Sequence, residues 1–212
     1  LIERNKILNF TFDNKFYTGF LGDTLASALI ANGVRIVGRS FKYHRPRGIT
    51  GFGTEETNAL VQLRKGDRTE PNISATQIEL YDGLEAFSQN RWPNLNFDLS
   101  ALNNTLSGLF PSGFYYKTFM WPSKLWPIYE KNIRRVAGIG KSPSDHDPDT
   151  YAHKFVHCDI LIAGGGPTGL MATLSAGSSG ARVILCDQNP QCGGMLLGRQ
   201  AQVSGKNCID WV

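Results

Sequence analysis

Gly164, Gly166 and Gly169 fall in the spacing G-x-G-x-x-G, between the apolar run DILIA (159–163) and the stretch PTGLMATLSAG. That pattern suits a strand, a tight turn and a helix. The first glycine lets the chain turn, the second lets backbone approach a pyrophosphate, and the third lets helix pack on strand. Pro167 lies in the first turn of the predicted helix, where its missing N–H costs nothing. The helix start then offers free N–H groups and a positive dipole end to phosphate. A second apolar run, RVILC (182–186), ends at Asp187, whose carboxylate can accept hydrogen bonds from both hydroxyls of a ribose. The chemistry implied is the holding of an adenine dinucleotide. Asp187 would repel a 2′-phosphate, and Gln188-Asn189-Pro190-Gln191 holds no cation to attract one. NAD(H) or FAD is therefore expected rather than NADP.

No other group of residues reads as reactive. No acid–base pair, activated nucleophile or metal triad is evident, so no catalytic residue is expected. Asp145 and His146 sit in a polar stretch and read as solvated. The cysteines are Cys158, Cys186, Cys192 and Cys208, with no C-x-x-C pair and none in residues 1–157. A metal site built from Cys158, His153 and His157 lacks a second cysteine, and no metal is expected. This cysteine usage suits a reducing cytoplasm better than a secreted disulfide scaffold. The net charge of +4 is too small to argue for nucleic acid. No apolar run approaches the roughly 20 residues that cross a bilayer. The opening LIERNK lacks a signal-peptide core, and the first residue is Leu, so the natural start is expected upstream.

The segments that must position the glycine turn form a mixed α/β and α+β chain. ILNFTF, Asp13-Asn14 and KFYTGF read as a hairpin. In GDTLASALIANGV, Asp23 or Thr24 can cap a helix that Asn32-Gly33 ends. ALVQL (59–63) and ATQIEL (75–80) read as strands on either side of a turn at Lys65-Gly66-Asp67. This pattern predicts a β-grasp, ferredoxin-like unit over residues 1–90. An aromatic-rich connector and linker follow over 91–150, with ten aromatics between Trp92 and Tyr129 and a short helix at IYEKNIRRVAG. Those aromatics suit either burial against neighbouring elements or a docking surface for another subunit. KSPSDHDPDT (141–150) is the clearest linker. Residues 151–212 read as the first βαβ of a Rossmann-type FAD/NAD(P)-binding domain, incomplete.

GFLGDTLASALIANGV, VGRSFKYHRPRGI, EETNAL, GFYYKTFMWP and CDILIAGGGPTGL, in this order, resemble the α subunits of heterotetrameric sarcosine oxidases. The likeness covers essentially the whole chain. SFKYHRPRG and YYKTFMWP are more specific than the glycine motif, and Gly193-Gly194 resembles flavoproteins that bind two dinucleotides. The resemblance implies an N-terminal fragment of a longer subunit. It also implies an assembly with β, γ and δ subunits that demethylates sarcosine to glycine. There the one-carbon unit passes to tetrahydrofolate and oxygen becomes peroxide. It further implies NAD in this chain, bound rather than turned over, with FAD and FMN elsewhere in the assembly. Gly164, Gly166, Thr168 and Gly169 would then meet the phosphates. Asp187, Gln188 and Asn189 would lie along the ribose, with Gly194 and Met195 in the following loop. Met195 departs from the small or hydroxylated residue expected there.

Related redox subunits place C-x₄-C-x₂-C after H-x-P-R-G to ligate a [2Fe–2S] cluster. Aligned on His44-Arg45-Pro46-Arg47-Gly48, those positions hold Gly51, Glu56 and Ala59. None supplies a thiolate, so no iron–sulfur cluster is expected. The basic stretch Arg35, Arg39, Lys42, Arg45 and Arg47 suits a phosphate, an acidic partner or a solvated loop. Two further readings stay open: an electron-transfer subunit of an amino-acid or opine dehydrogenase, and a non-catalytic assembly module holding NAD structurally.

Overall fold

The computed structural model describes residues 2–105, 107–109, 113, 121–136, 138, 140–189 and 191–212. Contacts divide the chain into two compact units. One comprises Leu1–Gly51 and Glu56–Pro148, the other Phe52–Glu55 and Asp149–Val212.

The first unit is built on a hairpin of β1 (Glu3–Phe12) and β2 (Lys15–Leu21). Asp13 and Asn14 make its turn at φ 49° and 64°. Left-handed backbone at both central residues matches the twist of paired strands, and Asp and Asn tolerate it best after glycine. The helix α1 (Leu25–Ala31) follows. Thr24, not Asp23, is its cap: the Thr24 hydroxyl accepts from the Ser27 N–H while the Ser27 hydroxyl accepts from the Thr24 N–H. Asp23 instead accepts from the Ser27 hydroxyl at 2.6 Å. Gly33, at φ 75°, ends the helix. Leu25, Ala26, Ala28 and Leu29 bury one face of α1 against the sheet. Each full Leu or Phe burial in this core contributes about 1.5–3 kcal/mol. Gly19 permits the close approach, since a Cβ there would collide with Leu80 and press on Ala28.

Short strands β3 (Gly38–Arg39) and β4 (Pro46–Arg47) pair antiparallel. Beyond them lie β5 (Leu60–Leu63), β6 (Glu70–Ser74) and β7 (Leu84–Ser88). The main sheet runs β2-β1-β7-β5-β6, with β1 and β7 parallel and the other pairs antiparallel. The strand expected at 75–80 is instead β6, five residues earlier. ATQIEL forms a turn and crossing segment whose backbone carbonyls at Ala75 and Ile78 accept from Ala26 and Leu25 of α1. Its apolar residues Ala75, Ile78 and Leu80 are buried there against the helix. The central strand β7 has no separate sequence signal, because LEAFS is short and buried except at Glu85, with no sustained alternation.

The connector holds a single turn, α2 (Leu102–Thr105), and the helix α3 (Trp126–Val136), which begins two residues before the predicted one. Phe110, Phe114, Tyr115, Tyr116 and Phe119 lie outside the described residues. Trp92, Phe97, Trp121 and Trp126 are all exposed rather than buried. Residues 141–150 form no helix or strand.

In the second unit, β8 (Ile160–Ala163) and β9 (Val183–Cys186) pair in parallel, joined by α4 (Pro167–Ser178). Composition predicts buried strands, but Ile160 and Leu161 are exposed because this sheet has two strands among the described residues.

Candidate functional site

The glycine turn links β8 to α4. Gly164 sits at φ 104°, a conformation that L side chains rarely adopt, and its N–H donates to the Cys186 carbonyl at 2.7 Å. Gly166 is the N-cap of α4 and makes no side-chain cap bond. The first N–H groups of the helix therefore face outward as orphan donors, with Pro167 at the start of the helix. Thr168 is exposed in this turn. Gly169 admits no Cβ, which would run into the Gly164 carbonyl. The helix can sit this close to the strand only with glycine there.

Asp187 directly follows β9 and turns inward. Its Oδ2 accepts from the Gly165 N–H at 2.5 Å, and its Oδ1 accepts from the Asn189 N–H and Nδ2 at 2.7 and 2.9 Å. Asn189 and then Gly165 hold its carboxyl below the ordinary carboxylate value, against a smaller opposing effect of burial. The motif spacing predicts both oxygens facing a ribose. Instead three N–H donors occupy them. A carboxylate has roughly four acceptor positions, so room for about one more donor remains.

Gly165 is the residue that sequence reasoning missed. Its N–H binds Asp187, its carbonyl accepts from Gly193 at 2.7 Å, and a Cβ would lie 2.7 Å from Cys192 Sγ. The run Gly164-Gly165-Gly166 is the only hint in the sequence. Gly194, at φ 51°, would place a Cβ 3.3 Å from the Gly166 Cα, so the second glycine pair closes against the first turn. Gln188 is exposed and Met195 half-buried. Phe52 belongs to this unit, its ring packed where a Cβ on Gly198 would stand at 2.9 Å.

Glu56 and Asp98 are two of the buried carboxyl side chains of the first unit. Glu56 accepts from the N–H groups of Thr50, Gly51 and Asn58 at 2.5, 2.6 and 2.6 Å. Burial pushes its carboxyl up, but the N–H donors of Asn58, Gly51 and Thr50 outweigh that and hold it below the ordinary value. Asp98 is bonded to His44 Nδ1 at 2.7 Å and accepts from the N–H groups of Trp92 and Ser100. Arg39 turns in beside it, donating to the carbonyls of His44 and Leu95. Arg39 is thus a structural bridge and not part of an open basic loop.

Residues 5–91 match a family of 2Fe-2S iron-sulfur cluster binding domains, and residues 159–205 match a family of FAD dependent oxidoreductases. The chain is 57% identical over all 212 residues to the sarcosine oxidase alpha subunit of Rhizobium meliloti (strain 1021), of which it spans 22%. It is 33% identical over its whole length to the sarcosine oxidase alpha subunit of Corynebacterium sp. (strain U-96), spanning 17% of it. An opine oxidase subunit of Rhizobium meliloti is 50% identical over 38 residues, 18% of this chain and 7% of that one. L-proline dehydrogenase from P. horikoshii matches in fold, with TM-score 0.50 and 17% identity over 99% of this chain and 30% of that one.

These matches correct the cofactor expectations. Residues 5–91 match 2Fe-2S cluster binding domains, against the expectation of no cluster. Residues 1–157 hold no cysteine, so cluster thiolates would have to come from elsewhere. FAD, not NAD, is the dinucleotide that the second match supports, since a glycine turn reads the phosphates that both share. No helix among the described residues is long and apolar enough to cross a membrane. Along its entire length, this chain is similar to sarcosine oxidase α subunits, of whose length it spans 22% and 17%.

Proposed function

We propose that this chain forms the dinucleotide-holding part of an amine-oxidising flavoenzyme subunit whose substrate is sarcosine. The observation that carries the reading is 57% identity to a sarcosine oxidase α subunit over the whole chain. The parent assembly takes sarcosine, oxygen and tetrahydrofolate to glycine, peroxide and methylene-tetrahydrofolate. FAD, when bound, supplies a two-electron acceptor. This chain's own residues bind and orient it. The free N–H groups at the start of α4, at Thr168 and Gly169, receive the pyrophosphate, and Gly166 lets it come close. Asp187, fixed by Gly165 and Asn189, offers its remaining acceptor position to a ribose hydroxyl. Gly194 and Met195 close the loop beside it. No catalytic side chain is assigned within residues 1–212, and the finer architecture is read as a β-grasp unit followed by the start of a Rossmann-type domain.

The reading is tested by sarcosine-dependent peroxide production from the full-length subunit in its assembly. Turnover with sarcosine supports it, and turnover with opines alone would instead favour the second reading. That alternative rests on the 38-residue match to an opine oxidase subunit.

A further inference from the structure

The charge of this chain is unevenly distributed. Residues 34–54 and 86–129 contain eight Lys and Arg but one acidic residue, Asp98, while the remainder is net acidic. Asp98 is withdrawn from the surface, its side chain fully buried against His44 and Arg39. Among the described residues, the charge these two stretches leave exposed is therefore of one sign.

The same buried network brings them together. Arg39 of β3 donates to the Leu95 and Asn96 carbonyls, and the Asn90 amide donates to the carbonyls of Arg39 and Ser40. Arg45 reaches Asn104 Oδ1 at 2.8 Å. The β3–β4 hairpin and segment 90–104 thus form one surface. On it stand three exposed arginines, Arg35, Arg45 and Arg47, none in an ion pair with a described residue. Beside them are Phe41, Trp92 and Phe97, exposed by 53%, 62% and 63%. Phe41 and Arg47 also line one small cavity. Large aromatics in water beside guanidinium groups that lack a carboxylate have the composition of an interface centre. A merely solvated loop has no reason to hold aromatic rings in water on a hydrogen-bonded frame.

We propose that this surface docks an acidic segment of a partner chain, with carboxylates meeting Arg35, Arg45 and Arg47 and apolar groups covering Phe41, Trp92 and Phe97. The proposal rests on reading this chain as one subunit of a larger enzyme. Arginine favours such a role because its planar fork takes a carboxylate through two hydrogen bonds. Steering by charge of one sign also makes the association sensitive to salt.

The test uses the full-length chain, affinity-tagged and purified with whatever subunits assemble on it. Backbone hydrogen exchange at residues 41–47 and 92–104 should slow at least tenfold in the assembly relative to the chain released by salt. In the Arg45→Glu/Arg47→Glu variant, recovered partner at about 0.15 M salt should fall at least tenfold, with thermal unfolding of the chain unchanged. Trp92→Ser/Phe97→Ser should lower recovery as well, but with less dependence on salt. An intact assembly whose patch exchanges as fast as in the released chain overturns the surface and leaves the subunit reading standing. A wild-type chain that purifies alone overturns both. Nucleic acid recovered with the wild type and lost in the charge reversal would also overturn the proposal.

Discussion

Asp187 carries inward hydrogen bonds that its place in the motif does not reveal. The spacing from the glycine turn locates it, but nothing in the sequence signals that Gly165 and Asn189 already fill most of its acceptor positions. That changes the expected effect of mutation. Asp187→Ala removes a charged acceptor worth about 1.5–3 kcal/mol and should weaken the dinucleotide roughly tenfold to a hundredfold. Asp187→Asn should be nearly as damaging, because its NH₂ must face an N–H donor wherever it turns. Titrating the dinucleotide into both apo variants checks the order, and near-wild-type affinity for Asp187→Asn would mean the inward bonds do not matter. Glu56 follows the same logic inside the first unit. Glu56→Gln should set an NH₂ against a buried N–H at about 1–3 kcal/mol. Thermal unfolding should then fall by roughly 2–4 °C per kcal/mol at this length. Both carboxyls are held below their ordinary values, so their stabilisation is complete above the unfolded pKa. It is lost as pH falls through the lower folded value. Acid unfolding of wild type should therefore be steeper than that of Glu56→Gln below about pH 4, and parallel curves would contradict this.

The hairpin and α1 are legible because their signals are local. Asp13-Asn14 sets the turn, and Thr24 and Ser27 satisfy each other within one helical turn. β6 and β7 are not, since their place depends on pairing with residues far along the chain. β7 pairs in parallel with β1, near the other end of the unit. The glycine turn lies between these cases. Its three motif glycines are readable from spacing, whereas Gly165 acquires its role only when Asp187 and Cys192 fold onto it. Gly169 offers a direct test of the strand–helix contact. In Gly169→Ala the added Cβ collides with the Gly164 carbonyl and must push α4 away from β8. Dinucleotide affinity should fall at least tenfold while the first unit unfolds as before. Unchanged affinity would show that the helix start is not the phosphate site. The His44–Asp98 pair makes a comparable prediction for the connector. His44→Ala removes one of the groups bonded to buried Asp98 and leaves it the Trp92 and Ser100 N–H groups, at a cost of about 1–3 kcal/mol readable in the unfolding of the full-length chain.

Taken whole, the chain joins a five-stranded mixed unit resembling iron–sulfur domains to a strand–turn–helix–strand that matches FAD-dependent oxidoreductases. The likeness to sarcosine oxidase α subunits was legible from long motifs such as SFKYHRPRG, which supplies His44 to the buried network with Arg39 and Asp98. The choice between NAD and FAD was not legible, because both present the same pyrophosphate to a glycine turn. The central claim is that this turn holds an adenine dinucleotide. Its most direct test is to purify the full-length α subunit, wild type and Gly169→Ala, denature both, and assay what dinucleotide is released. We predict FAD from the wild type at about one per glycine turn, and at least tenfold less from the variant. No dinucleotide from either protein, or equal amounts from both, would contradict the account.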